Sequence, residues 1–219
     1  MLDYPILLGI EGSLCVVVGG GAVGLRKTRG LLAVGARVRL VDPEPADMPQ
    51  GVEQVLRPYR EGDLEGAALA FAASGAREVN AAVAAEARRR GIPVNVADAP
   101  ADGDFTLPAV LRRGGVTVAV GTGGESPALA AILAERLGTL IGAEWETVLE
   151  IAAALRRKRL TPPEGAEYNQ AILRHLLDGG LPELVAAGDE AAVDRLLQTH
   201  CGEGCSLAQL GIRLVKGMT

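Results

Sequence analysis

Residues 14–27 read LCVVVGGGAVGLRK. Leu14–Val18 is an unbroken apolar run of strand length, and such runs suit strands buried on both faces of a parallel sheet. Gly19, Gly21 and Gly24 then satisfy G-x-G-x-x-G where this strand meets a helical segment. The first glycine allows the turn, the second lets backbone approach a pyrophosphate, and the third lets helix and strand pack closely. Free N–H groups at the helix start attract phosphate. With 29 glycines in the chain the pattern alone is weak. The strand before it and the helix after it give it weight. The competing reading is a tight turn that holds no ligand.

Outward from this turn, short β-like runs alternate with helical ones. Strands are expected at Leu14–Val18, Arg37–Val41, Val52–Leu56, Leu69–Ala73 and Val94–Val96, and helices at Val23–Val34 and Arg77–Arg90. That alternation implies an α/β domain with a Rossmann-like parallel sheet. Asp42 follows Gly24 by 18 residues, at the end of the second strand. An acid there accepts hydrogen bonds from a ribose 2′-OH and repels a 2′-phosphate, which favours NAD over NADP. The bland alternative is an acidic loop.

Val110–Val120, VLRRGGVTVAV, reads as two strands joined across Gly114-Gly115. Ser126 is a plausible N-cap, and Pro127 fits the first helical position. Leu129, Ile132, Leu133, Leu137, Leu140 and Ile141 follow helical spacing as one apolar stripe. From Trp145 onward the pattern is helical: EWETVLEIAAALRRKRL, EYNQAILRHLLDGG and EAAVDRLLQTH, broken at Pro162-Pro163 and Gly179-Gly180.

The bulk numbers exclude several classes. The net charge is −5, against a general nucleic-acid binder. No apolar run approaches a membrane span, and no basic segment precedes the first apolar residues. Cys15, Cys201 and Cys205 do not make a disulfide framework, so a reducing cytoplasm is expected. His200, Cys201 and Cys205 lie close in sequence, but one His with C-x3-C is not a convincing zinc pattern. His175 is expected to be packed rather than ligating, and no permanent metal site is expected. Arg88-Arg89-Arg90 ends a helix, where cations suit the dipole.

Several stretches together resemble the precorrin-2 dehydrogenase family, which includes the dehydrogenase–ferrochelatase part of siroheme synthase. They are YPILLGIEGSLCVVVGGGAVGLRKTRGLLAVGARV with its Arg26-Lys27, VNVADAP, and DFTLPAVLRRGGVTVAVGTGGESPALA. The resemblance covers residues 1–145 well and the remainder weakly. It implies NAD-dependent oxidation of precorrin-2 to sirohydrochlorin, in some members followed by insertion of Fe2+. It also implies a homodimer with an NAD-binding domain over 1–113, a dimerisation segment over 114–144 and a helical domain over 145–219. A methyltransferase domain is not expected.

The family's catalytic aspartate matches Asp98. A carboxylate beside the macrocycle could take a proton during oxidation, and again from ring nitrogens during metal insertion. The competing reading is that Asp98 only orders a turn before Pro100. Cofactor contacts are expected from Gly19, Gly20, Gly21, Ala22, Val23, Gly24, Asp42, Pro43 and Ser74. The family often has AATDD where residues 72–76 here read AASGA, so Ser74 keeps a hydroxyl while the acidic pair is missing. Arg112, Arg113, Thr122 and Ser126 are the expected substrate contacts, since guanidinium groups bind carboxylates bidentately. Thr122 stands where some members carry serine. Arg156-Arg157-Lys158-Arg159 is a second cationic cluster, with a solvated helix face as its plainer reading. A different class, the NAD-sensing regulatory module of a transport system, begins with a similar turn but should end in a small β-rich domain.

Overall fold

In the computed structural model, residues 4–47, 49–158 and 165–214 are described. They form two compact units that divide between Leu107 and Pro108. Arg159, Pro162 and Pro163 lie outside the described residues.

In chain order the first unit runs β1 (Leu14–Val18), α1 (Ala22–Leu32), β2 (Arg37–Val41), β3 (Val52–Val55), β4 (Leu69–Ala72), α2 (Arg77–Arg90) and β5 (Val94–Val96). All strand pairs are parallel, in the order β3-β2-β1-β4-β5. Side chains alternate across a strand, so a continuous apolar run feeds two cores at once. Val16 and Val18 join Ala70, Ala72, Val94 and Val96 against Val83, Ala84 and Ala87 of α2. Cys15 and Val17 join Val38, Leu40 and Phe71 against Leu25 and Leu31 of α1. The strand and helix expectations hold to within a residue or two at each end.

Two sets of polar contacts brace this unit. Glu86 on α2 is only 1% exposed, yet it is fully engaged. It accepts hydrogen bonds from Tyr59 Oη, from Gly62 N at 3.0 Å and from Arg90 Nε at 2.6 Å. Burial, with the Glu86 carboxylate beside it, pushes the Tyr59 hydroxyl well above its usual range. The edge strand β5 is covered by its own continuation. Asp104 N donates to Val94 O at 2.8 Å, and Val94 N donates to Asp104 Oδ2 at 2.9 Å. A Cβ on Gly103 would stand 2.9 Å from Val94 O, so only glycine lets the chain lie this close to β5.

The second unit opens with an antiparallel hairpin of β6 (Ala109–Arg113) and β7 (Val116–Val120). The first domain was expected to reach residue 113. The compact units divide earlier because β6 finds its partner in β7 rather than in the parallel sheet. Then come α3 (Pro127–Gly138), α4 (Glu144–Lys158), α5 (Gly165–Asp178), α6 (Leu181–Ala186), α7 (Glu190–Cys201) and α8 (Leu207–Leu210). Ile151, Leu155, Leu176, Leu181, Val193 and Leu197 form the heart of its core. Helix α3 stops at Gly138, so Leu140 and Ile141 fall beyond it. Leu129, Ile132, Leu133 and Leu140 remain exposed, Leu140 at 73%. A β-rich ending, as the transport-system reading requires, does not match this helical unit. No helix among the described residues is long and apolar enough to cross a membrane.

Candidate active site

The sheet order reverses at β1: the chain moves from β1 outward to β2 and β3, then returns to the other side of β1 as β4. In open α/β sheets, ligands bind outside the carboxyl ends of the strands at such a switch point. Here that point is flanked by the Gly19–Gly21 turn after β1 and by Ala73-Ser74 after β4.

The glycines have separate physical reasons. Gly19 has φ +108°, and a Cβ on it would lie 2.3 Å from Ala73 O. A Cβ on Gly24 would lie 1.8 Å from Gly19 O, so helix and turn touch there. On Gly20 it would strike Pro45. Gly21 differs: its φ of −73° and ψ of −178° suit any residue, and nothing lies within 4 Å of an added Cβ. Its glycine is required by neither backbone strain nor packing, and it leaves open space where a ligand's phosphate could approach the backbone. Gly21 also caps α1 with no side-chain hydrogen bond, while Ala22 and Val23 are exposed. The residues present therefore fit a dinucleotide pyrophosphate at the start of α1.

Asp42 lies just past β2. Its Oδ2 accepts from Gly20 N at 2.6 Å and its Oδ1 accepts from Glu44 N at 2.8 Å. The acid expected to meet a ribose also ties down the glycine turn, with lone pairs remaining on each oxygen. Pro43 is exposed beside it. The Arg26-Lys27 pair divides. Arg26 faces solvent, whereas Lys27 turns inward and donates from Nζ to Asn95 Oδ1 at 2.7 Å. Asn95 Nδ2 in turn donates to Phe105 O at 2.9 Å. Burial, helped by the charge of Arg26, lowers the Lys27 ammonium from its ordinary value.

Asp98 follows β5 at the same edge and is exposed. Its Oδ1 accepts from Asn80 Nδ2 at 2.8 Å. Asn80 also accepts from Ser74 N and donates to Ser74 O, each at 2.9 Å. Ser74 Oγ accepts from Ala76 N at 3.2 Å. A cavity of about 130 Å³ opens here, lined by Arg77, Asn80, Arg88, Asp98 and Asp102 among others. Arg88 is committed to Asp102 O. Sequence reading missed Asn80. An asparagine near the start of a helix carries no period or motif to mark it.

In the second unit, Thr122 and Ser126 serve the start of α3. Ser126 N donates to Thr122 Oγ1 at 3.2 Å, and Ser126 Oγ accepts from Leu129 N at 3.2 Å. Adjacent on a strand, Arg112 and Arg113 point to opposite faces. Arg113 donates from Nε to Ile141 O at 3.0 Å, while Arg112 is exposed. Arg157 and Lys158 line a cavity of about 260 Å³ with Gln209, and Lys158 donates to Gly204 O. His175 is exposed and stacks on His200 at 5.4 Å rather than packing into the core. Among the described residues, no group of three or more His, Cys, Asp or Glu is placed to hold a metal ion.

A parallel sheet of this order, with a glycine turn at its switch point, defines a Rossmann-class dinucleotide-binding protein. Residues 6–109 match a family model described as putative NAD(P)-binding. Siroheme synthase of Pseudomonas aeruginosa is 38% identical over 212 residues, covering 93% of this chain and 45% of that protein. Siroheme synthase of Nitrosomonas europaea is 38% identical over 204 residues, covering 89% and 43%. A solved structure titled "SirC, precorrin-2 dehydrogenase" has the same fold. Its TM-score is 0.69 at 22% identity, over 90% of this chain and 98% of that one. Over nearly its whole length the chain is a relative of the siroheme synthases, and its first half carries the NAD(P)-binding match. The chain spans about half the length of the curated relatives it matches.

Proposed function

We propose that the protein oxidises precorrin-2 to sirohydrochlorin with NAD as hydride acceptor. One observation carries this reading: Gly21, Ser74 and Asp98 share one edge of the sheet in a chain homologous to siroheme synthases. Oxidation removes a hydride and a proton from the macrocycle. Bound NAD supplies the acceptor for the hydride. The Gly19–Gly24 turn and the N–H groups opening α1 hold its pyrophosphate, and Asp42 and Pro43 adjoin its ribose. Ser74 borders the crevice between β1 and β4. Asp98 takes the proton as general base, which suits an exposed carboxylate fixed at one oxygen.

Arg112 is the available cation of the hairpin for a substrate carboxylate, with Arg113 shaping the strand beside it. Thr122 and Ser126 set the loop that leads into α3 and adjoin the same substrate. Cys15, Cys201 and Cys205 are buried as thiols, which fits a reducing cytoplasm. The exposed leucines and isoleucine of α3 fit the cover that a second copy of the chain would give, in a homodimer built on residues 114–144.

The test is anaerobic incubation with precorrin-2 and NAD, following absorbance before and after Fe2+ is added. Sirohydrochlorin should form only with NAD. A further spectral change on adding Fe2+ would show that this chain also inserts iron. Asp98→Asn should bind NAD normally and lose ~10²–10⁴ in oxidation rate. A wild-type rate in that variant would remove Asp98 from the chemistry.

A further inference from the structure

Asn80 lies on α2, is 1% exposed, and makes three hydrogen bonds with its side-chain amide. Two of them clasp the Ser74 peptide, one accepted and one given, and so mimic a strand neighbour. The third donates to Asp98 Oδ1. An amide nitrogen has two N–H donors, and both are used. The network also fixes which end is which. A flipped amide would set its nitrogen against Ser74 N and its oxygen against both Ser74 O and the Asp98 carboxylate, three clashes of like polarity. The amide is therefore locked by the backbone it clasps, and its remaining donor points in one direction.

We propose that Asn80 is the positioning residue for Asp98, anchoring one carboxylate oxygen so that the other is presented to the substrate's proton. This rests on the reading of Asp98 as general base. The device costs no mobile group: α2 and the turn after β4 are packed parts of the sheet domain, so the carboxylate inherits their rigidity. An exposed aspartate on a turn would otherwise sample several rotamers, and a misplacement of about 1 Å can cost about 10²-fold in rate. Ser74 links the same amide to the cofactor side, because the peptide it clasps follows Ala73, whose carbonyl meets the Gly19 turn.

The experiment compares pH–rate profiles and NAD affinity for the wild type, Asn80→Asp and Asp98→Asn. Asn80→Asp keeps the acceptor for Ser74 N but loses both donors, to Ser74 O and to Asp98, and sets a second carboxylate beside the first. Two carboxylates in contact resist ionising together. The variant should bind NAD as the wild type does and lose about 10²-fold in kcat near neutral pH. The acid limb of its profile should move up by about one pH unit or more, with activity recovering under alkaline conditions. A purely structural role would instead lower activity evenly at every pH, and that result, or an unchanged profile, overturns the proposal. Should Asn80→Asp fail to fold or to bind NAD, the unaltered chain decides. The side-chain amide signals of Asn80 in NMR should shift as Asp98 titrates, and this response should vanish in Asp98→Asn. Signals that stay fixed overturn the proposal. Full activity in Asp98→Asn defeats both the base assignment and this inference. An inactive Asp98→Asn beside an Asn80→Asp of wild-type profile defeats this inference alone.

Discussion

Gly21 and Gly24 stand three residues apart and answer to different constraints. An added methyl on Gly24 collides with the Gly19 carbonyl at 1.8 Å. Gly24→Ala should therefore destabilise the fold by about 3 kcal/mol, at the upper end of ordinary overpacking. An added methyl on Gly21 meets nothing. Gly21→Ala should melt like the wild type yet lose about tenfold or more in NAD affinity, or about 1.4 kcal/mol. Thermal melts and calorimetric NAD titrations measure the two arms. If Gly21→Ala binds NAD unchanged, the turn is not where the pyrophosphate lies. Sequence spacing showed all three motif glycines, but it could not separate those that serve the turn from the one that faces open space. Asp42 was legible as an acid after β2. Its bond to Gly20 N was not, because only the folded turn brings that amide within reach. Cys15 adds a pH dependence. Burial pushes its thiol from 9.0 up to about 11. A folded value above the unfolded one means stability that is full below pH 9 and lost as pH rises towards about 11. Tyr59, also raised, extends that loss above pH 10. Denaturant midpoints should therefore fall across this range. Cys15→Ala should remove the earlier part, worth about 2–3 kcal/mol for two pKa units.

At the scale of elements, β1 and β4 were readable because they are apolar on both faces, and a doubly buried strand needs no alternation. The hairpin was readable from its paired glycines. Helices α6 and α8 were not, since six and four residues are too few to show a period. The Tyr59–Glu86 cluster was also hidden, because a glutamate on a helix reads as a solvent-facing residue. It pins the segment between β3 and β4 onto α2. Tyr59→Phe removes the hydroxyl and leaves Glu86 Oε2 buried without that donor. The cost should be about 1–3 kcal/mol, read as a lower urea midpoint with an unchanged slope. A neutral effect would mean that water replaces the hydroxyl and that the segment is held elsewhere.

For the whole molecule, the proposed homodimer makes a concentration-dependent claim. Ile132→Glu with Leu129→Glu should give a monomer by light scattering while circular dichroism keeps the helical signal, because both side chains are exposed in the single chain. A dimer that survives both charges would place the contact elsewhere. The expected division at residue 113 shows what sequence cannot supply: strand patterning says that β6 is extended, but only pairing says to which sheet it belongs. The cover that Asp104 gives to β5 also bears on solubility. An uncovered edge strand is a template for fibre growth, strand upon strand. With the outward amide and carbonyl of Val94 already taken by its own chain, that margin offers a stray strand no foothold at its centre. Crowded copies of this domain should then stay dispersed instead of stacking edge to edge.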